Sequence, residues 1–294
     1  MSDAGDPSPP RTRTLGQDGL DSRDFERLAA VIERHCGIRM PASKRTMVEG
    51  RLRRRVRALG LPDMHAYCRH VLDEGALEAE LGDLIDAVTT NKTDFFREID
   101  HFRYLTGTAI PALTRLPHRP GIDRPMKIWS AACSTGAEPY TVAMLLQEQE
   151  RAGAPIRHEI IGTDICTEAL AAAKLAVYPF EMAKMVPTPF ASRYLMRSRD
   201  GGNPSIRLVP SIRQAVRFGH LNMMDPVYPI ASDMDVIFFR NILIYFDKPT
   251  QKAVLHKLCQ HLRPGGYLFV GHSETITNMD LPLTQVASAT FIRS

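Results

Sequence analysis

The stretch MKIWSAACSTGAEPYTVAMLLQEQE, residues 126–150, combines a short apolar run, a turn of small residues and a helical pattern. Small residues at a strand-to-helix turn let the backbone approach a ligand closely. Gly136 is the only glycine of this turn, so the turn does not match GxGxxG, the pattern typical of pyrophosphate binding. A smaller nucleoside-like ligand fits such a turn better, and a tight structural turn without a ligand is the alternative.

The same order of strand and helix recurs along the chain. Strand-like runs occur at HEIIGTD (158–164), MDVIFF (234–239) and YLFVGH (267–272). Helical patterns follow the first two at TEALAAAKLA (167–176) and PTQKAVLHKLCQHL (249–262). Strands that alternate with helices of this length are typical of a parallel sheet covered on both faces. We therefore predict a doubly wound α/β fold, in which ligands bind at the carboxyl ends of the strands.

Two segments depart from this pattern. Residues 21–90 contain helical patterns with short connections, which predict a small all-α domain after a flexible tail at residues 1–20. Residues 177–219 contain several prolines and short apolar runs, and DGG at 200–202 is a hairpin signal. We expect a small antiparallel β insert at about 177–219, within an α/β domain that covers residues 91–294.

The positive charge of the chain is concentrated in one predicted helix. The formal net charge is +4, from 37 Lys and Arg against 33 Asp and Glu, yet residues 44–57 contain seven basic residues and one acid. On a helical wheel the apolar stripe comprises Val48, Leu52, Val56 and Leu59, and the opposite side carries Arg53, Arg54 and Arg57. This one-sided helix favours docking of an acidic protein surface over general polyanion binding. A solvated helix face is the alternative.

Cysteine usage and hydropathy exclude several classes of protein. Five scattered cysteines, with no CxxC pair and no Cys/His spacing of zinc type, favour reduced thiols and no metal site. The chain has no apolar run near the roughly 18 residues of a membrane span, and its N-terminus lacks the apolar core of a signal peptide. We therefore expect a soluble, cytoplasmic protein without membrane insertion. We also expect it to act as a monomer, although no sequence feature specifies the oligomeric state.

Polar residues at the predicted strand ends are candidates for the site. Asp164 ends the second strand, where a carboxylate can accept both hydroxyls of a ribose, although a helix N-cap is as common a use. Asn241 follows the strand DVIFF, and Tyr245 lies four residues later, where it could equally be a packed ring. The segment TTNKTDFFR (89–97) lies at the junction of the two predicted domains and could cross the cleft. Its alternative is a capped helix start with two aromatic core anchors.

Several of these motifs together resemble one family. TTNKTDFFRE, AACSTGAEPYTVAMLL, GTDICTEAL, FFRNILIYFD and LRPGGYLFVGHSE, in this order, are similar to the chemotaxis receptor methyltransferases, the CheR family. The resemblance covers roughly residues 22–294. It implies a Rossmann-like class I methyltransferase domain with a small β-subdomain, preceded by a helical domain. It also implies that S-adenosylmethionine esterifies glutamate side chains on the cytoplasmic helical domain of chemoreceptors, leaving S-adenosylhomocysteine as product.

The resemblance implies roles for individual residues. Glu138 matches the second acid of the family's GEEPY motif, whose first Glu is Ala137 here, and Asp164 matches the ribose-binding acid. Tyr245 is implied to point toward the transferred methyl group. The cofactor-binding residues implied by the family are Asn91, Thr93, Arg97, Glu138, Asp164, Asn222, Met223, Arg240 and Asn241.

Methyl transfer to a carboxylate places few demands on the protein. A glutamate is ionised at pH 7, so the reaction needs no general base. The protein has to desolvate the carboxylate and hold it in line with the methyl group, and a planar guanidinium orients carboxylates well. We therefore predict Arg97 and Tyr245 as catalytic residues. The rival hypotheses are a nucleic-acid methyltransferase, for which we find no Asn-Pro-Pro-Tyr motif and no positioned catalytic cysteine, and a non-catalytic receptor-binding module.

Overall fold

The computed structural model describes residues 19–198, 202, 204–277 and 279–294. The chain divides into two compact units. The smaller comprises Met1–Val31 and Met40–Val88, and the larger comprises Ile32–Arg39 and Thr89–Ser294. Residues 1–18, most of the predicted tail, lie outside the described residues.

The smaller unit is helical among its described residues. Its helices are α1 (Ser22–Cys36, whose last turn belongs to the larger unit), α2 (Arg45–Ala58), α3 (Met64–Leu72) and α4 (Leu77–Val88). Asp63 caps α3, because its side chain accepts a hydrogen bond from the backbone N–H of Ala66 at 2.8 Å. The unit therefore has the all-α architecture that the sequence predicts.

Helix α2 buries its apolar stripe and exposes part of its positive charge. Val48, Leu52 and Val56 are buried as predicted, but Leu59 is 38% exposed because it lies just beyond the end of the helix. Arg55 is not available to a partner, since its guanidinium bonds both carboxylate oxygens of Glu80 at 2.8 Å. The predicted docking arginines 53, 54 and 57 are all exposed.

The larger unit is built on a seven-stranded sheet. Its strands are β1 (Met126–Ala131), β2 (His158–Asp164), β6 (Val216–His220), β7 (Met234–Phe239), β8 (Leu262–Val270), β9 (Leu283–Ala287) and β10 (Thr290–Arg293). They lie in the order β6-β2-β1-β7-β8-β10-β9. The first five strands of this order pair in parallel, and β10 pairs antiparallel with both β8 and β9. The strand order reverses between β1 and β7, the point at which doubly wound sheets bind ligands.

Helices connect these strands and cover the sheet. They are α5 (Ile99–Tyr104), α6 (Ile110–Leu113), α7 (Ala137–Arg151), α8 (Thr167–Leu175), α9 (Thr188–Tyr194), α10 (Pro210–Gln214) and α11 (Lys248–His261). Two buried apolar clusters flank the sheet, one containing Ile128 and Phe238 and the other containing Trp129 and Ile237. Because neighbouring residues of one strand point to opposite faces, both faces of the sheet are covered. The predicted doubly wound α/β class is confirmed.

The predicted β insert is present but shorter than expected. β3 (Val177–Pro179), β4 (Leu195–Arg197) and β5 (Ser205–Leu208) form a separate antiparallel sheet in the order β3-β5-β4. The expected end at about residue 219 is wrong, because β6 pairs in parallel with β2 and so belongs to the main sheet. Residues 200 and 201 of the predicted hairpin turn lie outside the described residues. None of the helices in the described part of the chain has the length and hydropathy needed to cross a membrane.

Candidate active site

Motif residues from three neighbouring strands meet at the carboxyl edge of the sheet. The small-residue turn follows β1, Asp164 ends β2, and Arg240 and Asn241 follow β7. β1 pairs with both β2 and β7, so these strand ends are adjacent. The parallel sheet therefore assembles one site from segments that are far apart in sequence.

On the β1–β2 side, hydrogen bonds join the TTNKT segment to the two strand ends. Asp164 accepts bonds from the backbone N–H groups of Ser134 at 2.7 Å and Cys166 at 2.9 Å. The Ser134 hydroxyl donates to the carbonyl of Asn91 at 3.0 Å, and the Asn91 amide donates to the Cys166 sulfur at 3.1 Å. The N-cap of α8 is Cys166, whose sulfur accepts a bond from the N–H of Ala169, so the N-cap interpretation of Asp164 is wrong. Asp164 supports the turn just ahead of that cap.

On the β7 side, Glu98 is the centre of a second network. Its carboxylate accepts bonds from the Asn241 amide and from an Arg240 guanidinium nitrogen, both at 3.0 Å. The backbone N–H of His272, just beyond β8, approaches the same carboxylate at 3.3 Å. Burial alone would raise the pKa of Glu98, but the Asn241 bond and the Arg240 charge outweigh it and lower that pKa. Glu98 therefore stays ionised and links the TTNKTDFFRE segment to two strand ends.

Arg240 is held between two carboxylates. Its side chain is 3% exposed and also bonds Glu138 at 2.8 Å, and Glu138 in turn accepts a bond from the Ser130 hydroxyl at 2.6 Å. A further guanidinium bond goes to the backbone carbonyl of Arg97. The Nε of Arg240 is buried and has no hydrogen-bond partner among the described residues. The two carboxylates balance the Arg240 charge, so this guanidinium orients the site rather than meeting a new anion.

A second buried carboxylate, that of Glu274, supports the turn that carries Asn241. It accepts bonds from the backbone N–H groups of Asn241 at 3.0 Å, Gly271 at 2.6 Å and Leu243 at 2.7 Å. Burial raises the pKa of Glu274 despite these opposing donors. A Cβ at Gly271 would lie 2.5 Å from the Asn241 amide nitrogen, so the loops after β7 and β8 are in close contact.

Left-handed backbone conformations are concentrated in these same segments. A residue other than glycine rarely adopts a positive φ, and such strain is typical of functional sites. Five residues of the TTNKTDFFRE segment and of the turns after β1 and β7 have φ between 53° and 60°: Phe96, Glu98, Ala132, Ser134 and Asn241.

His101 lies beside the second network in a neutral form. Its side chain is 2% exposed, and both ring nitrogens lack hydrogen bonds to the described residues. Its ring contacts the His272 ring at a centroid distance of 4.5 Å. Burial lowers the pKa of His101 to about 4, and the charge of Arg240 acts in the same direction. The ligand atoms of Glu98, His101 and His272 lie within 4.8 Å of one another, but Arg240 pairs with the same carboxylate and opposes a cation there.

The predicted adenine-side pair follows β6, the strand beside β2. Asn222 is 6% exposed; its amide donates to the carbonyl of His35 at 2.7 Å, and its side-chain oxygen accepts from the N–H of Met224 at 2.9 Å. Met223 is also buried, and its carbonyl accepts a bond from the Lys257 ammonium at 2.7 Å. The structure thus places the pair beside Asp164 in the sheet, since the N–H of residue 221 bonds the Asp164 carbonyl.

The two predicted catalytic residues have different surroundings. Arg97 is half-buried, and its guanidinium donates to the carbonyl of Lys92 at 3.2 Å. No acidic side chain among the described residues pairs with Arg97. Tyr245 ends a short turn, Leu243–Tyr245, that follows Asn241 directly, and its side chain is half-buried. Thr93 is half-buried two residues after Asn91.

The alternative interpretation of the TTNKTDFFR segment, a capped helix start with two aromatic core anchors, is partly correct. Phe95 and Phe96 are core anchors, 0% and 8% exposed, and the Phe95 ring packs edge-on against Tyr178. The helix begins only at Ile99, however, and Glu98 before it makes no side-chain cap. Sequence reasoning missed Glu98 as a site residue. The available signal was a carboxylate next to Arg97 in a motif that already contained site candidates.

The chain is similar to one family of methyltransferases along most of its length. The family model described as "CheR methyltransferase, SAM binding domain" matches residues 91–292, and "CheR methyltransferase, all-alpha domain" matches residues 23–89. Chemotaxis protein methyltransferase 2 of Pseudomonas aeruginosa is 39% identical over 87% of each chain. The chemotaxis protein methyltransferase of Salmonella typhimurium is 37% identical over 88% of this chain and 86% of that protein. The chemotaxis protein methyltransferase of Escherichia coli is 36% identical over 90% of this chain and 88% of that protein.

The residues of the site fit S-adenosylmethionine. The cofactor needs an acceptor for its ribose hydroxyls, and Asp164 is a buried carboxylate at the end of β2. The unpartnered Nε of Arg240 is a further buried donor at the end of β7. The turn after β1 offers only small side chains, on a strained backbone, beside Asp164. The chain belongs to the CheR family and is an S-adenosylmethionine-dependent methyltransferase of chemotaxis.

Proposed function

We propose that this protein esterifies glutamate side chains on the cytoplasmic helical domain of chemoreceptors. S-adenosylmethionine supplies a methyl group activated by a positively charged sulfonium. The observation that carries the proposal is the state of Arg97, a motif guanidinium at the site that has no acidic partner among the described residues. Arg240, by contrast, already pairs with Glu98 and Glu138. Arg97 is therefore the guanidinium suited to an incoming carboxylate.

The groups around the site suit an acceptor that is already ionised. An amine or hydroxyl acceptor must lose a proton, which requires a base whose pKa lies near the working pH. Beside the second network lies His101, whose pKa of about 4 makes it a weak base at neutral pH. A glutamate carboxylate needs no base. His101 is therefore unsuited to deprotonate an amine or hydroxyl acceptor, and a carboxylate acceptor does not require it to.

We assign the catalytic work to orientation. Arg97 holds the acceptor carboxylate through directional, charge-assisted bonds and aligns one oxygen for an in-line displacement. Tyr245 lies near the reacting centre and excludes water from it. Tight neutralisation by Arg97 would lower the nucleophilicity of the carboxylate, so one unpaired guanidinium suits the task better than the doubly paired Arg240.

We assign the cofactor-binding roles from the family resemblance, and the positions of the residues at the strand ends support them. Asp164 accepts the ribose hydroxyls, Asn222 and Met223 lie on the adenine side, and Asn241 lies on the methyl side. Asn91 and Thr93 line the cleft next to the β1 turn. Glu98 and Glu138 act by holding Arg240 and Asn241 in place.

The receptor docks on the basic face of α2. Arg53, Arg54 and Arg57 are exposed there, and Arg53 also pairs with Glu49 at 2.6 Å. A receptor helix that carries glutamates offers the opposite charge, which speeds the encounter and fixes its orientation. We propose that the protein does this as a cytoplasmic monomer.

Acceptor choice tests the proposal directly. The full-length protein is incubated with methyl-labelled S-adenosylmethionine and, in parallel, with receptor cytoplasmic fragments, duplex DNA and RNA. Label should enter the receptor fragment alone. Label in nucleic acid would replace the proposal with a nucleic-acid methyltransferase. Binding of S-adenosylhomocysteine without any transfer to receptor would identify a non-catalytic module.

A further inference from the structure

The segment that ends α1 belongs to the larger unit, although the residues on both sides of it belong to the smaller one. Ile32–Arg39 is grouped with Thr89–Ser294 by its contacts, whereas Val31 and Met40 are not. No family motif identified in the sequence lies in this segment. Its contacts with the larger unit therefore need their own explanation.

Two hydrogen bonds join this segment to two different turns of the proposed cofactor site. The carbonyl of His35 accepts the Asn222 amide at 2.7 Å. The backbone N–H of Arg39 donates to the carbonyl of Tyr245 at 2.9 Å. Asn222 follows β6 and Tyr245 follows β7, and β2 and β1 separate these two strands in the sheet. Residues 35–39 thus span the carboxyl edge from the adenine side to the methyl side.

Gly37 makes this span possible. It has φ +72°, a left-handed conformation that favours glycine, and its N–H bonds the carbonyl of Glu33 at 2.8 Å to end α1. A Cβ at this position would lie 2.8 Å from the Met224 sulfur, 3.2 Å from a Thr250 methyl and 3.3 Å from the Phe246 ring. Gly37 therefore lies directly against both turns, and a side chain there would push them apart.

We infer that residues 35–39 form a strap that positions the Asn222 turn and the Tyr245 turn for the cofactor. The inference rests on the roles proposed above for Asn222 and Tyr245. The strap residues themselves are positioning residues, because they act through the two turns. By thermodynamic linkage, a ligand that binds only when both turns are correctly positioned must also stabilise the strap. Loosening the strap must then lower the affinity for that ligand.

Hydrogen exchange on the wild-type protein tests the linkage. Saturating S-adenosylhomocysteine should slow the exchange of peptides that cover residues 35–40 at least tenfold. Peptides around Gly60 are the control, since a Cβ at Gly60 would meet nothing within 4 Å and no site contact is described there. Unchanged exchange at 35–40 under saturating ligand overturns the inference.

A pair of glycine variants tests the same point through affinity. Gly37→Ala and Gly153→Ala both place alanine at a positive φ, but a Cβ at Gly153 meets nothing within 4 Å. Gly37→Ala should weaken S-adenosylhomocysteine binding at least tenfold by calorimetry, while Gly153→Ala stays within twofold of wild type. Equal affinities for the two variants contradict the strap, and if Gly37→Ala fails to fold, the exchange experiment decides alone.

These outcomes separate the strap from the proposed function. If the wild type binds S-adenosylhomocysteine and methylates receptor glutamates but residues 35–40 do not respond, the strap is wrong and the function stands. If residues 35–40 respond but the methyl group goes to another acceptor, the strap stands and the receptor assignment fails. A wild-type protein that does not bind the ligand contradicts both.

Discussion

Replacement of Glu98 by glutamine is the sharpest perturbation of the second network. The substitution keeps the shape of the side chain but removes its charge, and it turns an amide N–H₂ toward a guanidinium or toward the Asn241 amide. In the wild type, one Glu98 oxygen lies 3.0 Å from Arg240 and the other 3.0 Å from Asn241. Whichever way the new amide is oriented, one of these two contacts becomes a donor facing a donor.

The expected magnitude follows from burial. Removal of one partner from a buried ion pair costs about 3–5 kcal/mol. Glu138 still bonds Arg240 at 2.8 Å, and the Glu98 side chain is 15% exposed. We therefore expect Glu98→Gln to lower the free energy of unfolding by a smaller amount, about 2 kcal/mol. For a domain of this size that loss lowers Tm by about 4 °C or more. Misplacement of Asn241 should also weaken S-adenosylhomocysteine binding by about tenfold, or about 1.4 kcal/mol.

Thermal unfolding and calorimetry, with Glu159→Gln as the matched control, measure both effects. Glu159 pairs with Arg217 at 3.3 Å, but the two side chains are 42% and 71% exposed, so the pair contributes at most about 1 kcal/mol. We expect Glu159→Gln to retain the Tm and the ligand affinity of the wild type. If Glu98→Gln behaves like Glu159→Gln in both assays, Glu98 does not organise the site.

Three further predictions concern turnover, docking and pH. Arg97→Ala should lower kcat about 100-fold and change the Kd of S-adenosylhomocysteine little, because orientation of the acceptor is lost. Arg97→Lys should recover only part of the lost kcat. Unchanged turnover of Arg97→Ala at saturating receptor excludes a catalytic role for Arg97. Charge reversal at Arg53, Arg54 and Arg57 should raise the receptor KM about tenfold in dilute salt, with little difference at about 1 M salt, where charges are screened. His101 should destabilise the fold as pH falls from 6.5 toward its pKa of about 4, because the unfolded chain binds the proton more readily. Unfolding of His101→Phe should depend less on pH in that window, and identical pH profiles contradict the buried neutral form.

The fold could be predicted well because its signals are local. The helical and strand periods, and the Asp63 cap of α3, all lie within one element. Boundaries failed where long-range pairing decided them. Val216–His220 resembles a short strand of the insert, and only its pairing with β2 places it in the main sheet. Leu59 continues the apolar stripe of α2 in sequence, yet the helix ends before it.

The site was predictable as a set of motifs but not as a network. The turn after β1, Asp164, and Arg240 with Asn241 all follow strands, so the parallel fold itself predicts their proximity. Glu98 could not be identified in this way, because its partners lie more than 140 residues away and neither periodicity nor spacing links them. The charge pattern of α2 likewise could not show that Arg55 is neutralised by Glu80, because that carboxylate lies on a different helix, α4.

Detection of the glutamate methyl ester is the most direct test of the account. The wild-type protein and Arg97→Ala are each incubated with methyl-labelled S-adenosylmethionine and a receptor cytoplasmic fragment, and in parallel with the same fragment carrying Gln at its methyl-accepting glutamates. The account predicts base-labile label, released as methanol, on the Glu fragment with the wild type, little with Arg97→Ala, and none on the Gln fragment. Label that resists base, or that enters the Gln fragment equally, would contradict carboxylate methylation by this site.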